Sequence, residues 1–217
     1  MVVSDGHTVF RPIQPTFAPG VEPHTVAGCL AQYFLPSHQL DLGFNILVIR
    51  KGNQVILFDA GCSHLFGIQA GRLQSNLQLA GIAPEAVTAI LLTHAHLDYL
   101  SGLLQPSGEP PFINATIYIS EREYQFWQAP DFSQSKAPEV EIRTMITHAQ
   151  QTLHTLQGSI QLFANNTTLF DYIHLRLAPG HTISTIYSIK GLFIAVVAIL
   201  CFIGVFVIAN ELRKIKP

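Results

Sequence analysis

The chain has 217 residues, enough for one ordinary domain with a core of its own and too few for two comfortable ones. Charged residues make up 12% of it against 48% hydrophobic, and the formal net charge is −2 with no basic block before the last few residues, which argues against a nucleic-acid partner. Cys29, Cys62 and Cys201 are odd in number and widely spaced, which argues against a disulfide framework or a zinc knuckle, whereas ten histidines favour imidazole and carboxylate ligands that zinc, manganese, iron or cobalt would accept.

Residues 1–10 lack the basic start and apolar run of a secretory signal. Residues 1–42, with Pro12, Pro15, Pro19, Gly20 and Pro23, read as an irregular lead-in with no regular element. Residues 45–50 and 54–58 are β-branched or apolar runs joined by Lys51-Gly52-Asn53, a hairpin that delivers Asp59-Ala60-Gly61 to a strand end. Leu73, Leu77 and Ala80 recur at helical spacing before Gly81, a C-terminal stop reinforced by Pro84.

A short buried strand over 88–92 then brings the chain to His94. A further strand over 116–119 leads to Ser120 and Glu123, a capping-box pair that opens a short helix towards Trp127, and 129–138 is a loop. Ile142, Met145, Ile146, Ala149, Leu153 and Leu156 share one helical face. Strands over 160–163 and 172–177 flank an Asn165-Asn166 turn, and the second ends at Ala178-Pro179-Gly180, just before His181. Mixed strands and helices predict α/β or α+β layering.

The chemistry is concentrated in Thr93-His94-Ala95-His96-Leu97-Asp98-Tyr99, where an apolar strand runs out into a loop. Two imidazoles two residues apart can address one ion, and the Asp98 carboxylate can reach the same cavity. His181 can supply a third neutral donor from the end of another strand, leaving a tetrahedral zinc one open position for water. That water would have its pKa lowered to about 7, giving a hydroxide nucleophile that Asp98 could orient or deprotonate. Trp127, Phe126 and Phe132 read as core rather than as the lining of a pocket.

Asp59-Ala60-Gly61 after a hairpin, Thr-His-Ala-His-Leu-Asp, and Ala-Pro-Gly-His-Thr resemble, in order and spacing, the metallo-β-lactamase superfamily. Phe66-Gly67, Gly71-Arg72-Leu73, Asn76-Leu77, Ala80-Gly81-Ile82, Pro84-Glu85, Ala115-Thr116 and Phe126-Trp127 are similar to its branch of methyl-parathion hydrolases and N-acyl-homoserine lactonases. The likeness covers roughly residues 43–187. It implies an αβ/βα sandwich with a metal cleft at the sheet edges, His94, His96 and His181 on a first ion, and Asp98 facing a second. It also implies that Asp59 buttresses the ligand loop; a plain turn carboxylate is the alternative.

The family pattern His-x-His-x-Asp-His has Tyr99 in place of its last histidine, and a protonated phenol is a poor ligand for a second ion. No aspartate follows Asp171 and no histidine follows His181, so the later ligands of a second site are lacking and one zinc is expected. Residues 192–209 run for eighteen residues without a charge before Glu211, Arg213, Lys214 and Lys216. They read as a C-terminal membrane anchor, with a degenerate core strand of a truncated fold as the alternative.

The expected organisation is therefore a lead-in over 1–42, a metallo-β-lactamase-like domain over 43–190, a transmembrane helix over 191–210 and a basic tail over 211–217. The C-terminal half of the sandwich is expected to be incomplete, leaving a surface that a partner chain or the bilayer would cover, or that would make the fold unstable. Two functions compete. One is a zinc hydrolase of a lactone, ester or phosphotriester-type small molecule, membrane-attached or, without the anchor, cytoplasmic. The other is a non-catalytic, membrane-attached descendant of the fold. A redox role for Cys62 or Cys201 is disfavoured, because neither has a basic neighbour close in sequence.

Overall fold

The computed structural model describes residues 1–14, 16–18, 20–133, 135 and 137–177, and the backbone of 186–188. Strands β1 (Val2–Phe10), β2 (Leu40–Lys51), β3 (Gln54–Phe58), β4 (Ala89–Leu91), β5 (Thr116–Ser120) and β6 (Ile160–Phe163) form one sheet in that order. The first three are antiparallel neighbours, and β3 to β6 are parallel. Strands β7 (Thr168–Leu169), β8 (Ile173–Leu177) and β9 (Ile186–Ser188) make a second, antiparallel sheet. The helices are α1 (Pro23–Gln32), α2 (Leu73–Leu79), α3 (Leu97–Leu100), α4 (Glu121–Gln128) and α5 (Glu139–Thr155).

Residue alternation along the strands assigns each side chain to one of two cores. Leu57, Ile90, Ile117 and Ile119 face one way and pack with Leu73 and Leu77 of α2, Trp127 of α4, and Ala149 and Leu153 of α5. Ile56, Phe58, Ala89 and Leu91 face the other way and meet Ile173 and Leu175 of the second sheet. Each such fully buried aliphatic side chain contributes about 1.5–3 kcal/mol relative to exposure. The mixed α/β sandwich expected from the sequence is the architecture found, as helices on sheet on sheet. The apolar run over 192–209 lies outside the described residues, and among the described residues no helix is long and apolar enough to cross a membrane.

The local signals behind these elements are visible in the contacts. Gly52 sits at φ 57° in the β2–β3 turn and Gly81 at φ 72° after α2, a left-handed conformation that costs glycine little. Ser120 caps α4 by accepting the Glu123 backbone N–H.

The N-terminal residues correct the irregular lead-in. β1 pairs with β2 from Val2 opposite Leu47 to Phe10 opposite Leu40, with an irregularity between Ser4 and Gly6, and α1 buries Val26, Cys29 and Leu30. Tertiary contacts hold β1 in place. His7 N donates to Gln69 O at 3.1 Å, Asn76 Nδ2 to Ser4 O at 2.8 Å, and a Cβ on Gly6 would stand 2.0 Å from Gln69 O.

Asp5, 1% exposed, anchors this arrangement. Its Oδ2 accepts from Cys62 N at 2.7 Å and Cys62 Sγ at 3.0 Å, while its Oδ1 accepts from Leu73 N at 2.7 Å and so serves the N-terminus of α2, where no local side chain caps. Replacing Asp5 by alanine orphans two buried N–H groups, and a destabilisation of about 2–4 kcal/mol is expected in urea titration. A change below about 0.5 kcal/mol would show that these bonds contribute nothing net.

Candidate metal centre

The candidate centre grows from the ends of two neighbouring parallel strands. After β3 the chain turns at Asp59, whose φ of 69° is left-handed, and Asp59 N still donates to Leu91 O at 3.0 Å. After β4, Leu92 N bonds Tyr118 O at 2.8 Å, and Thr93 opens the His94–His96 loop. The two strand ends are tied together by Asp59. Its Oδ1 accepts from Thr93 N at 2.7 Å, and both its oxygens lie within 3.0 Å of the Thr93 hydroxyl.

The Thr93 hydroxyl in turn stands 3.0 Å from His94 Nδ1, so Asp59 reaches the first histidine through one intermediate group. This chain of contacts joins the Asp59 carboxyl to the loop that carries His94 and His96. The turn is closed from the opposite side by Ala60 N bonding Tyr99 O at 2.8 Å and Gly102 N bonding Gly61 O at 2.9 Å. Gly102 is required there, because a Cβ would stand 1.8 Å from Ala60 O.

His94 is fully buried, and its ring centroid lies 4.6 Å from that of His96, edge to face at 75°. Two imidazoles on one zinc hold their nitrogens about 2.0–2.1 Å from the ion, so rings this close are compatible with a shared cation. Asp98 lies in the first turn of α3, immediately after this pair, where a helix N-terminus favours an anion. The Tyr99 ring lies against His94, 4.3 Å between centroids and tilted 47°. His181 lies outside the described residues, four positions beyond the end of β8. Among the described residues no three His, Cys, Asp or Glu side chains form a metal-holding group. Neutral imidazoles flanked by carboxylates nonetheless make a donor set that suits zinc.

Burial lifts the Asp98 carboxyl to about 7. It lifts Asp59 to about 8, against the opposing Thr93 N–H and hydroxyl bonds and with a further push from the Asp98 charge. Folding therefore raises the proton affinity of Asp59, and the protonated form is the one the metal-free fold prefers. The stability associated with that proton is fully present below the unfolded pKa near 4 and is lost as pH rises through about 8. Asp59→Asn mimics the protonated group without titrating. Thermal melts of the metal-free protein should show the wild type gaining stability relative to this variant as pH falls from 8 to 5, and a pH-independent difference would contradict the assignment.

Glu123 has a part that the sequence pattern did not disclose. Beyond the capping pair with Ser120, its Oε1 accepts from Ala95 N at 2.9 Å and Trp127 Nε1 at 2.8 Å. Trp127 is fully buried, and Phe126 and Phe132 pack against the same core, as expected. Burial first, then the Asp5 charge, push the fully enclosed Cys62 thiol far up, which leaves it unsuited to redox chemistry. Cys201 lies outside the described residues. A cleft of about 540 Å³ beside the 59–61 turn is lined by Asp5, Ala60, His64, Gly102 and Gln105 among others, and none of His94, His96 or Asp98 lines it.

Residues 42–141 match the family model of the metallo-beta-lactamase superfamily. The dizinc quorum-quenching lactonase AidC, solved with the product N-hexnoyl-L-homoserine, is similar over 86% of this chain and 65% of its own, with 27% identity and a TM-score of 0.78. The hydrolase AbOPH of the beta lactamase superfamily is similar over 86% and 64%, with 25% identity and a TM-score of 0.72. A quorum-quenching N-acyl homoserine lactone lactonase shares the fold at 16% identity and a TM-score of 0.55, over 86% and 65%. No curated protein matches the sequence. Residues 42–141 thus carry a metallo-beta-lactamase domain, and the chain spans slightly less than two thirds of the length of these solved relatives.

Proposed function

We propose that the chain is a metal-dependent hydrolase that opens a lactone, ester or phosphotriester-type bond in a small molecule, with one zinc per chain. The observation that carries this reading is the edge-to-face pair of His94 and His96 on a loop that Asp59 fixes through Thr93. The likeness to AidC and AbOPH supports the hydrolytic class. His94, His96 and His181 would hold the ion. When bound, a zinc supplies Lewis acidity towards the electrophile and makes water acidic enough to act as a nucleophile at neutral pH.

The chain's own groups do the rest. Asp98, two residues after His96 in the first turn of α3, is suited to accept a proton from the attacking water and return it to the leaving oxygen. Asp59 keeps the histidine loop in register through Thr93. Tyr99 packs on His94 with its ring, where the family pattern has a ligand for a second ion. Membrane attachment belongs to the same reading, through the eighteen-residue apolar run over 192–209 and the basic residues after it.

Elemental analysis of the purified chain, paired with lactone and phosphotriester assays before and after zinc is stripped and restored, tests the activity. One zinc with activity that follows it supports the enzyme. Bound zinc without turnover on any of these substrates favours a non-catalytic descendant of the fold. Deleting residues 191–217 should release the protein from the lipid fraction, and a full-length chain that is already free of lipid would refute attachment.

A further inference from the structure

The hydrogen bonds of Glu123 place a buried carboxylate between the histidine loop and a helix. Glu123 is 1% exposed, and Ala95, whose N–H it accepts, is fully buried between the two histidines. Ala95 N lies in the peptide that joins His94 to Ala95, so the bond fixes the backbone between the two histidines. The same oxygen, Oε1, also accepts from the indole of Trp127, one helical turn further along α4, at 2.8 Å. The Trp127 ring then stands 6.1 Å from the His96 ring, edge to face at 82°. Glu123 is itself held in place, since its own N–H is bonded to Ser120 at the capped start of α4.

We infer that Glu123 is a positioning residue for metal binding: it holds the Ala95 peptide so that His94 and His96 present their nitrogens together. The inference rests on the metal reading of the two histidines given above. Both bonds converge on one oxygen, so a neutral amide oxygen with two lone pairs could accept them equally well. This separates geometry from charge. Glu123→Gln should preserve the loop and its metal affinity. Glu123→Ala, which removes the acceptor, and Glu123→Asp, which keeps the charge but falls short by one carbon, should not.

Outer partners that orient metal-bound groups change metal affinity by about 10–100-fold when removed. The test is titration of the full chain with cobalt(II), read by its visible absorption and by the fluorescence of Trp127, the only tryptophan. The alanine and aspartate variants should bind cobalt about 10–100-fold more weakly, with shifted visible bands, and the glutamine variant should restore both affinity and bands. A structural role alone would lower melting temperatures without moving the bands.

The inference is overturned if folded Glu123→Ala binds cobalt as tightly as the wild type, or if Glu123→Gln loses as much as Glu123→Ala. Where the alanine variant does not fold, Glu123→Asp decides on the same terms. A wild-type chain that binds no cobalt is a different result: it sinks the metal reading itself, and the role of Glu123 with it.

Discussion

Replacing His96 by alanine is expected to abolish stoichiometric zinc binding and to lower hydrolytic turnover by about 10³-fold or more. The magnitude follows from the several kcal/mol that a Lewis-acidic ion contributes to the transition state, at 1.36 kcal/mol for each tenfold in rate. The loss should be one of function and not of folding, because His96 is only partly buried and its ring packs at the surface of the core, against His94 and Trp127. Zinc content, steady-state rates and a thermal melt on the same preparation check the three parts together. Retained zinc with retained turnover would remove His96 from the site.

The largest effect on stability is expected from Trp127→Ala. The indole is fully buried among Leu57-facing core residues and the aromatic rings of Phe126 and Phe132, at centroid distances of 5.3 and 5.9 Å. Truncating a buried tryptophan costs about 3–5 kcal/mol, through lost burial and the cavity left behind. Against a total of about 5–15 kcal/mol for a domain, that is between about a fifth and all of its stability. Trp127→Phe keeps most of the ring and removes only the N–H bond to Glu123, so it should cost far less. Urea denaturation of both variants checks the prediction; equal losses would mean that the indole bond, and not the packing, dominates.

How far the sequence discloses the molecule depends on where the determining contacts lie. The β2–β3 hairpin, α2 with its glycine stop, α4 with its Ser120 cap and the long α5 are written in local chemistry, and each is where periodicity and end signals place it. β1 is not local. Its Ser4-Asp5-Gly6-His7 stretch shows no apolar alternation, and its conformation is set by β2 and by hydrogen bonds with residues 69–76, far along the chain. α1 carries its buried Val26, Cys29 and Leu30 at helical spacing, but it has no capping side chain, only the proline at its start, and prolines and glycines surround it. A composition signal for irregularity therefore masked a ten-residue helix.

The candidate centre divides in the same way. The histidine and aspartate loop is legible as a candidate because its proposed ligands are adjacent in sequence. Asp59 is legible only as a strand-end carboxylate until its bonds to Thr93 are seen. Glu123 is legible as a helix cap, and nothing local reveals that its other end meets Ala95, 28 residues earlier. Asp5 is hidden more deeply, since its partners Cys62 and Leu73 lie 57 and 68 residues away. Supporting groups of this kind are recruited by the fold, so their spacing carries no pattern.

The convergence of three imidazoles on a single ion is tested most directly by X-ray absorption at the zinc edge on the zinc-loaded full-length chain. Three imidazole nitrogens at about 2.0 Å, with no second metal in the next shell, are predicted for the wild type, and one imidazole fewer for His181→Ala. A zinc environment unchanged by His181→Ala, or a second metal at about 3.5–4 Å, would contradict it.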